Sequence, residues 1–295
     1  MGFVSSLGTG TSPRPVFLPG VDLKVSGFRV REFLLSVAVT ATARVCLLRD
    51  RLLRRIPWDG RMETAGAGTS RHAIHSGKKL LDAVLVRPDS TAARASVLIC
   101  HGIGETVEHW HSVQQLLAAN GVASLVFDYS GYGRSRGFFS AAEAERDAVA
   151  AFHFLEQLTA PLPVAVLGLS LGTGIAVHLV AKVPVHRLVL CAGFTSLREA
   201  SGRVGVPRAF RFAVPAIWEA EAALGNCAVP VQIVHGEKDR LFPARMAREL
   251  AGFCGPIHEL IIHPDVSHNE PFQRPTLSYW GSVVRFLLPG EPLVS

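Results

Sequence analysis

The sequence predicts an α/β fold in which a mostly parallel β-sheet is covered by helices on both faces. Short, mostly apolar runs recur along the chain, for example at 122–127 and 231–235, and the run at 97–100 is apolar throughout. Segments with helical periodicity separate them, and continuously apolar strands are typical of a parallel sheet that is buried on both faces. With 295 residues and 48% hydrophobic content, the chain is long enough for one large domain plus an extension.

The predicted elements follow one another in a regular order from residue 71 onwards. Two strand-like runs around Gly77 indicate an antiparallel hairpin at 71–75 and 80–87. Ala148, Phe152 and Leu155 recur at helical spacing and predict a helix. The other predicted strands are at 97–100, 122–127, 164–167, 187–191, 231–235 and 258–262, and the predicted helices are at 109–120, 141–158, 175–182 and 275–288.

One strand end carries a recognisable chemical motif. The strand at 164–167 runs into Gly168-Leu169-Ser170-Leu171-Gly172, which a helical segment follows. In this context Gly-x-Ser-x-Gly predicts a tight turn that exposes the serine hydroxyl at the edge of the sheet. Glycines are needed there because the turn leaves no room for side chains. Ser170 is therefore the predicted nucleophile, and the Leu171 N–H is a predicted donor to a negatively charged oxygen.

A phosphate-binding turn is the alternative interpretation of the same glycines. A dinucleotide site requires an acidic residue about 20 residues further on, at the end of the next strand. The run at 188–192 contains no acidic residue, and the chain has no Gly-Lys-Ser/Thr motif for a P-loop. The nucleophile turn is therefore favoured.

Two loops at other strand ends supply further candidates, because function in such sheets collects at the carboxyl ends of the strands. The loop His101-Gly102-Ile103-Gly104 offers backbone N–H groups with little side-chain obstruction. We expect the Ile103 N–H to be the second donor to the negatively charged oxygen, with the Gly104 N–H as the alternative. Asp128 opens a turn-rich loop, and we expect it to anchor that turn rather than to act in catalysis.

An acid and a base follow later strands. Asp239 comes after the strand at 231–235, and His268 comes after the strand at 258–262. The chain order Ser170, Asp239, His268 suits a histidine that takes the serine proton while a carboxylate orients the imidazole. Asp265 and Glu237 are the alternative carboxylates. Asp265 lies only three residues before His268, and Glu237 comes earlier in its turn.

The remaining histidines are expected to have other roles. His101 and His235 each precede a glycine at a strand end and are expected to bond to the backbone. His109 and His111 open a helix without a partner carboxylate, so we expect them at the surface or around the site rather than on a metal. His263 is a less favoured base. No metal and no cofactor is predicted.

Charge and cysteine content limit the class of protein. The net charge is +6, and the first 60 residues hold nine Lys and Arg against four Asp and Glu. The rest of the chain is nearly neutral, which argues against nucleic acid as a partner. The five cysteines are scattered and odd in number. They predict neither a disulfide framework nor a zinc site, so a reducing, cytoplasmic location fits best.

The predicted division is a basic extension at 1–60 and a catalytic domain at 61–295. Residues 1–27 are rich in Gly, Ser and Pro and are expected to be poorly ordered. Residues 28–56 contain a basic amphipathic helix, with Val45, Leu48, Leu52 and Ile56 on one face. Its interpretations remain open: contact with an anionic membrane surface, packing on this protein or a second copy, a transmembrane helix, or a secretory signal. Residues 1–6 also fit the myristoylation pattern.

Taken together, these motifs resemble the α/β-hydrolase superfamily over residues 70–290, and most closely its serine aminopeptidase-like and lysophospholipase-like branch. The resemblance implies an eight-stranded, mostly parallel sheet, with Ser170 as nucleophile, His268 as base and Asp239 as its orienting acid. A serine at the turn argues against the epoxide hydrolase and haloalkane dehalogenase branches, which use an aspartate there. Only 32 residues at 197–228 are available for a cap, so a minimal cap and an open pocket are expected.

The predicted function is hydrolysis of a carboxylic ester or thioester through an acyl-serine intermediate, with a lipid acyl chain as the favoured substrate and small soluble esters as the alternative. The alternatives are a peptidase or amidase with the same three residues, and a non-catalytic binding protein on the same fold. Oligomeric state is left open. Six aromatic and aliphatic residues are expected either to line an acyl site or to pack in the core: Phe138, Phe139, Phe210, Phe212, Ile217 and Trp218.

Overall fold

The structure is a computed structural model that describes residues 68–89, 92–203, 206, 208–255 and 258–288, without the side chains at 209 and 210. The extension predicted at 1–60 lies outside the described residues, so the interpretations of 28–56 stay predictions. Eight strands are present in the described part: β1 Thr69–Ser76, β2 Lys79–Val86, β3 Ala95–Cys100, β4 Val122–Phe127, β5 Val164–Leu169, β6 Leu188–Cys191, β7 Val231–Gly236 and β8 His258–His263.

These strands form one sheet in the order β1-β2-β4-β3-β5-β6-β7-β8. The first hairpin is antiparallel, with Thr69 opposite Val86, and β2 pairs with β4 in antiparallel register. Every other neighbouring pair is parallel. The predicted eight-stranded, mostly parallel sheet is therefore confirmed.

Helices cover the sheet and connect its parallel strands. They are α1 His111–Ala119, α2 Ala141–Thr159, α3 Leu171–Leu179, α4 Leu197–Arg203, α5 Ala220–Gly225, α6 Ala244–Phe253, α7 Glu270–Gln273 and α8 Leu277–Leu287. Short 3₁₀ helices lie at Val107–Trp110 and Arg208–Ala213. Among the described helices, none is long and apolar enough to cross a membrane.

The core consists of two layers, because successive side chains of a strand point to opposite faces of the sheet. On β3, Leu98 and Cys100 face one layer, which α2 and α3 cover. Val97 and Ile99 face the other layer, which contains Trp110 and the buried side of α8. The central strands β3, β4, β5, β6 and β7 are thus buried at every position, as expected of parallel strands covered on both faces.

The helix boundaries show where the sequence prediction and the structure differ. The helix predicted at 109–120 is split, because a 3₁₀ helix at Val107–Trp110 precedes α1. The helix predicted at 141–158 is confirmed as α2, and the side chain of Ser140 accepts the Glu143 N–H at its start. The region expected to form a minimal cap contains α4, a 3₁₀ helix and α5. Helix α6 was not among the predicted elements.

Candidate active site

Ser170 lies at the sharp turn between β5 and α3, where its backbone has φ 51° and ψ −118°. A positive φ is unfavourable for a residue that carries a Cβ, and such strain often occurs at functional sites. The Ser170 N–H donates to the Cys191 carbonyl at 3.0 Å and helps to hold this conformation. A Cβ at Gly168 would stand 2.8 Å from the Ala176 side chain, so glycine permits the close approach of strand and helix.

Three of the predicted side chains meet at this turn. The Ser170 Oγ lies 2.9 Å from His268 Nε2, and His268 Nδ1 lies 2.6 Å from Asp239 Oδ2. They come from the carboxyl ends of β5, β7 and β8, which the parallel sheet places at the same edge. Ser170 and Asp239 are buried, and the His268 side chain is 13% exposed. The result is a continuous hydrogen-bonded chain from hydroxyl to imidazole to carboxylate.

Asp239 is fixed at both of its carboxylate oxygens. Oδ1 accepts the backbone N–H groups of Leu241 at 2.9 Å and Phe242 at 2.8 Å. Oδ2 accepts from His268, and His235 Nε2 lies 3.4 Å away. Burial disfavours the charged carboxylate, but the hydrogen bonds from His235 and His268 outweigh it, so the pKa of Asp239 is lowered. The carboxylate is therefore ionised and oriented.

The alternative carboxylates lie in surface ion pairs. Asp265, whose side chain is 83% exposed, pairs with Lys238 at 2.8 Å. Glu237 pairs with Arg248 at 3.0 Å, and both of these side chains are about half exposed. His263 packs against Tyr279, with ring centroids 4.8 Å apart. Among the candidate acids, Asp239 is the one that contacts His268.

Two backbone N–H groups near Ser170 are available to a ligand. Among the described residues, neither the Ile103 N–H nor the Leu171 N–H has a hydrogen-bond acceptor. Leu171 is the first residue of α3, where an N–H has no partner within the helix. Gly102 brings its loop against the serine, since a Cβ at Gly102 would stand 3.4 Å from the Ser170 Cβ. Preorganised donors of this kind stabilise negative charge that develops in a reaction.

Asp128 anchors its turn, as the sequence predicts. It is buried, and its Oδ1 accepts the Val107 N–H at 2.9 Å. A Cβ at Gly133, which has φ 43°, would overlap its carboxylate. Burial raises the pKa of Asp128 well above its usual value, and the nearby Asp82 raises it further. His101 Nε2 lies 3.6 Å from this carboxyl group, and burial lowers the pKa of His101 to about 4.

The other histidines bond to backbone or to neighbouring side chains. His101 Nδ1 lies 2.9 Å from the Gly102 carbonyl, and His235 Nε2 lies 2.7 Å from the Phe242 carbonyl, as expected from their positions before glycines. His109 Nδ1 accepts the Thr106 N–H at 3.0 Å. In the part of the chain that the structure describes, no three His, Cys, Asp or Glu side chains are grouped to hold a metal ion.

The six residues expected near an acyl site fall into different environments. Phe139 packs against Tyr129 and Tyr132 in the core, and Trp218 is buried against α3. Phe138 and Phe212 are 72% and 68% exposed, and Ile217 is partly buried. The Phe210 side chain lies outside the described part. Phe138 belongs to the loop that follows β4, and Phe212 to the 3₁₀ helix between β6 and β7.

Sequence reasoning missed the contacts of three residues that lie against Asp239, His268 or the loop beside Ser170. His235 approaches Asp239, Phe242 packs its ring against His268, and Glu105 binds the loop that contains Ile103. Their positions after strand ends were the available signal. Their partners are visible only in three dimensions, because the contacts of His235 and Glu105 depend on how their own turns fold, and Phe242 meets a histidine from a different loop.

The strand order, the helix that follows the serine and the chain order of the three side chains are those of the α/β-hydrolase fold, and the similarities to known proteins support a member of the α/β-hydrolase superfamily. Residues 91–218 match the sequence model of a family described as serine aminopeptidase, S33. The match covers Ser170 and the loop at 101–104, which we call the glycine loop. Asp239 and His268 lie beyond it.

Two relatives illustrate the similarity. The uncharacterized protein Rv2307c of Mycobacterium tuberculosis is 31% identical over 183 residues, which cover 60% of this chain and 63% of the relative. Lysophosphatidylserine lipase ABHD12 of Danio rerio is 28% identical over 174 residues, which cover 52% of this chain and 46% of the relative. The chain thus spans about three fifths of the first relative and about half of the second.

Solved structures share the fold at lower identity. The esterase Pf2001 of Pyrococcus furiosus has a TM-score of 0.61 and 18% identity, and the match covers 78% of this chain and 97% of that one. Est1E of Butyrivibrio proteoclasticus, solved with ferulic acid bound, has a TM-score of 0.60 and 19% identity, with coverage of 72% and 95%.

Proposed function

We propose that the protein is a serine hydrolase that cleaves carboxylic esters, with Ser170 as nucleophile, His268 as general base and Asp239 as the acid that orients it. The observation that carries this proposal is the hydrogen-bonded chain at 2.9 and 2.6 Å that ends on a strained serine. A serine hydroxyl is a weak nucleophile, and an adjacent base is what activates it. The Ile103 and Leu171 N–H groups would hold the oxyanion.

The proposed reaction has two steps. In the first, the Ser170 Oγ forms a bond to the ester carbonyl carbon, and its proton passes to His268 Nε2. The carbon–oxygen bond to the alcohol then breaks, and the alcohol leaves with that proton. In the second step, water gives its proton to His268 and its oxygen to the acyl carbon, and Ser170 regains its proton as the acid is released.

The favoured substrate is an ester of a lipid acyl chain, and a thioester of the same acyl group is included. The ABHD12 relatives are named as lysophosphatidylserine lipases, and two exposed phenylalanines, Phe138 and Phe212, follow strands on either side of β3 and β5. An aminopeptidase or amidase is the second candidate, because the matching family is described as serine aminopeptidase. Both reactions use the same serine, histidine and carboxylate.

Labelling with a fluorophosphonate probe tests the nucleophile directly, because the probe reacts with activated serines. We expect labelling of the purified wild-type protein and none of the Ser170→Ala variant. Ser124→Ala is the matched control, since Ser124 is also buried and its hydroxyl has no partner among the described residues. Labelling of folded Ser170→Ala, or none of the folded wild type, would contradict the proposal.

A substrate panel then separates the candidates. We expect the wild type to hydrolyse p-nitrophenyl esters, with the highest kcat/KM at a chain length of eight carbons or more for a lipid-directed enzyme. An optimum at acetate would favour small esters instead. Cleavage of aminoacyl p-nitroanilides in preference to esters would favour the amidase alternative.

A further inference from the structure

Glu105 forms hydrogen bonds with both backbone polar groups of Gly102, the residue that brings its loop against Ser170. The Gly102 N–H donates to Glu105 Oε2 at 2.9 Å, and the Glu105 N–H donates back to the Gly102 carbonyl at 3.4 Å. Glu105 is 7% exposed and follows Gly102 by three residues. Both backbone polar atoms of Gly102 are therefore held by a single residue.

A second donor binds the same oxygen of the Glu105 carboxylate. The Trp110 indole N–H donates to the same Oε2 at 2.8 Å, and Trp110 is fully buried in the core layer beside α1. A buried carboxylate is costly unless it is hydrogen-bonded, so its position in the fold depends on these two donors. The carboxylate thus links the loop to a rigid part of the core.

These bonds determine the direction of the Ile103 N–H. The carbonyl of Gly102 accepts from the Glu105 N–H and also from His101 Nδ1 at 2.9 Å. In a trans peptide, the carbonyl of one residue and the N–H of the next point in opposite directions. Since the Gly102 carbonyl is held on one side, the Ile103 N–H is directed to the other side.

Gly102 itself lies between the carboxylate and the serine. A Cβ added at Gly102 would overlap Glu105 Oε1 and would stand 3.4 Å from the Ser170 Cβ. The Gly102 N–H is already bonded to Glu105, so it is not free to bind a substrate oxygen. The neighbouring Ile103 N–H has no acceptor among the described residues.

We propose that Glu105 is a positioning residue, which holds the Gly102–Ile103 peptide so that the Ile103 N–H meets the oxyanion formed when Ser170 attacks. This inference rests on the proposed hydrolase function. It adds to that function a residue other than Ser170, His268 and Asp239. Glu105 acts through the backbone and has no contact with the substrate. Its effect is therefore expected in the transition state rather than in substrate binding.

Two variants of Glu105 test the proposal by kcat and KM on a p-nitrophenyl ester. Glu105→Ala removes the acceptor, and we expect kcat to fall about tenfold to a hundredfold with KM changed less than about threefold. Glu105→Gln retains one carbonyl oxygen, and both donors bind a single oxygen of Glu105. We therefore expect this variant to retain kcat within about threefold of the wild type.

Gln114→Ala is the control for a general loss of stability. Gln114 is buried on α1 and donates to the Val84 and Ser124 carbonyls, away from the glycine loop. We expect it to lower the melting temperature while kcat stays within about twofold of the wild type. If kcat falls equally in Gln114→Ala and Glu105→Ala, or if Glu105→Gln is as impaired as Glu105→Ala, the positioning role is refuted.

Amide hydrogen exchange provides a test that needs no catalytic activity. In the wild type the Gly102 N–H should be protected, in Glu105→Ala it should exchange at least about tenfold faster, and in Glu105→Gln protection should return. Unchanged protection in Glu105→Ala would overturn the proposal. If the wild type hydrolyses no ester but shows this exchange pattern, the proposed hydrolase function is refuted. The hydrogen bond by which Glu105 holds the loop at Gly102 is still supported in that case.

Discussion

The ring of Phe242 packs edge-on against the imidazole of His268, with centroids 5.2 Å apart and planes at 83°. The backbone N–H of the same residue donates to Asp239 Oδ1 at 2.8 Å. Phe242 is 4% exposed, so both contacts are shielded from water. One residue therefore supports the carboxylate through its backbone and the imidazole through its side chain.

Phe242→Leu should separate these two contributions. Leucine keeps the backbone N–H but loses the edge-to-face contact, which is worth about 0.5–1.5 kcal/mol. We expect kcat for ester hydrolysis to fall about twofold to tenfold, because the imidazole is less well oriented. Phe194→Leu is the control, since the Phe194 ring also packs on Phe242, with ring centroids 5.4 Å apart. Equal loss of kcat in the two variants would contradict a specific effect on His268.

Asp239→Asn should remove the charge that supports the imidazolium while preserving the shape of the side chain. We expect kcat to fall by about a thousandfold to ten-thousandfold, because an amide also favours the wrong tautomer of His268. Asp265→Asn is the matched control, because Asp265 is exposed and paired with Lys238. If Asp265→Asn lost as much activity as Asp239→Asn, the choice between the two acids would be wrong. Both variants are compared by kcat at constant pH and by thermal unfolding.

The sheet could be predicted from the sequence because each central strand is a short, mostly apolar run between segments of helical or turn-like composition. The run at 122–127 coincides with β4, and the run at 231–235 with nearly all of β7. Helix α6 was missed, although Met246 and Leu250 are buried at helical spacing. Its first half contains two arginines, Arg245 and Arg248, which obscure the apolar face in the sequence pattern.

The choice among three carboxylates was harder, because spacing alone does not show which side chain turns inward. Asp239 turns inward since its Oδ1 accepts the N–H groups of Leu241 and Phe242, a local contact that forms only when the loop closes. The proposed role of Glu105 depends on Trp110, which lies five residues further along and reaches the carboxylate from the end of the 3₁₀ helix. Such contacts have no linear signature in a single sequence.

Gly172→Ala should destabilise the fold because there is no space for a side chain at this position. A Cβ there would overlap the carbonyl oxygen of Cys100, which belongs to a neighbouring buried strand. We expect the free energy of unfolding to fall by about 3 kcal/mol, near the upper end for overpacked cores. Gly252→Ala is the matched control, since nothing lies within 4 Å of that Cβ in α6. It should raise stability by about 0.5–1 kcal/mol in urea unfolding. Equal effects at the two glycines would contradict the close packing at the serine turn.

Glu105 should make the stability of the protein depend on pH. Burial raises the pKa of its carboxyl group from 4.5 to about 7, although the hydrogen bonds from Gly102 and Trp110 lower it in part. Between these pH values the folded protein holds a proton that the unfolded chain releases, so this contribution to stability falls as the pH rises. The loss is on the order of 3 kcal/mol and ends above about pH 7. Because glutamine does not titrate, Glu105→Gln should gain stability relative to the wild type over this range in urea unfolding.

Trp110→Phe should enlarge this pH dependence of stability, whereas Glu105→Gln should remove it. Phenylalanine removes the indole N–H that stabilises the ionised form of Glu105, so the pKa of this carboxyl group should rise further. The loss of stability should then extend above pH 7 and be larger than in the wild type. Asp128 and Tyr129 also lie in this buried region, and each variant is therefore compared with the wild type at every pH. Parallel curves for the wild type and both variants would show that Glu105 does not titrate in this range.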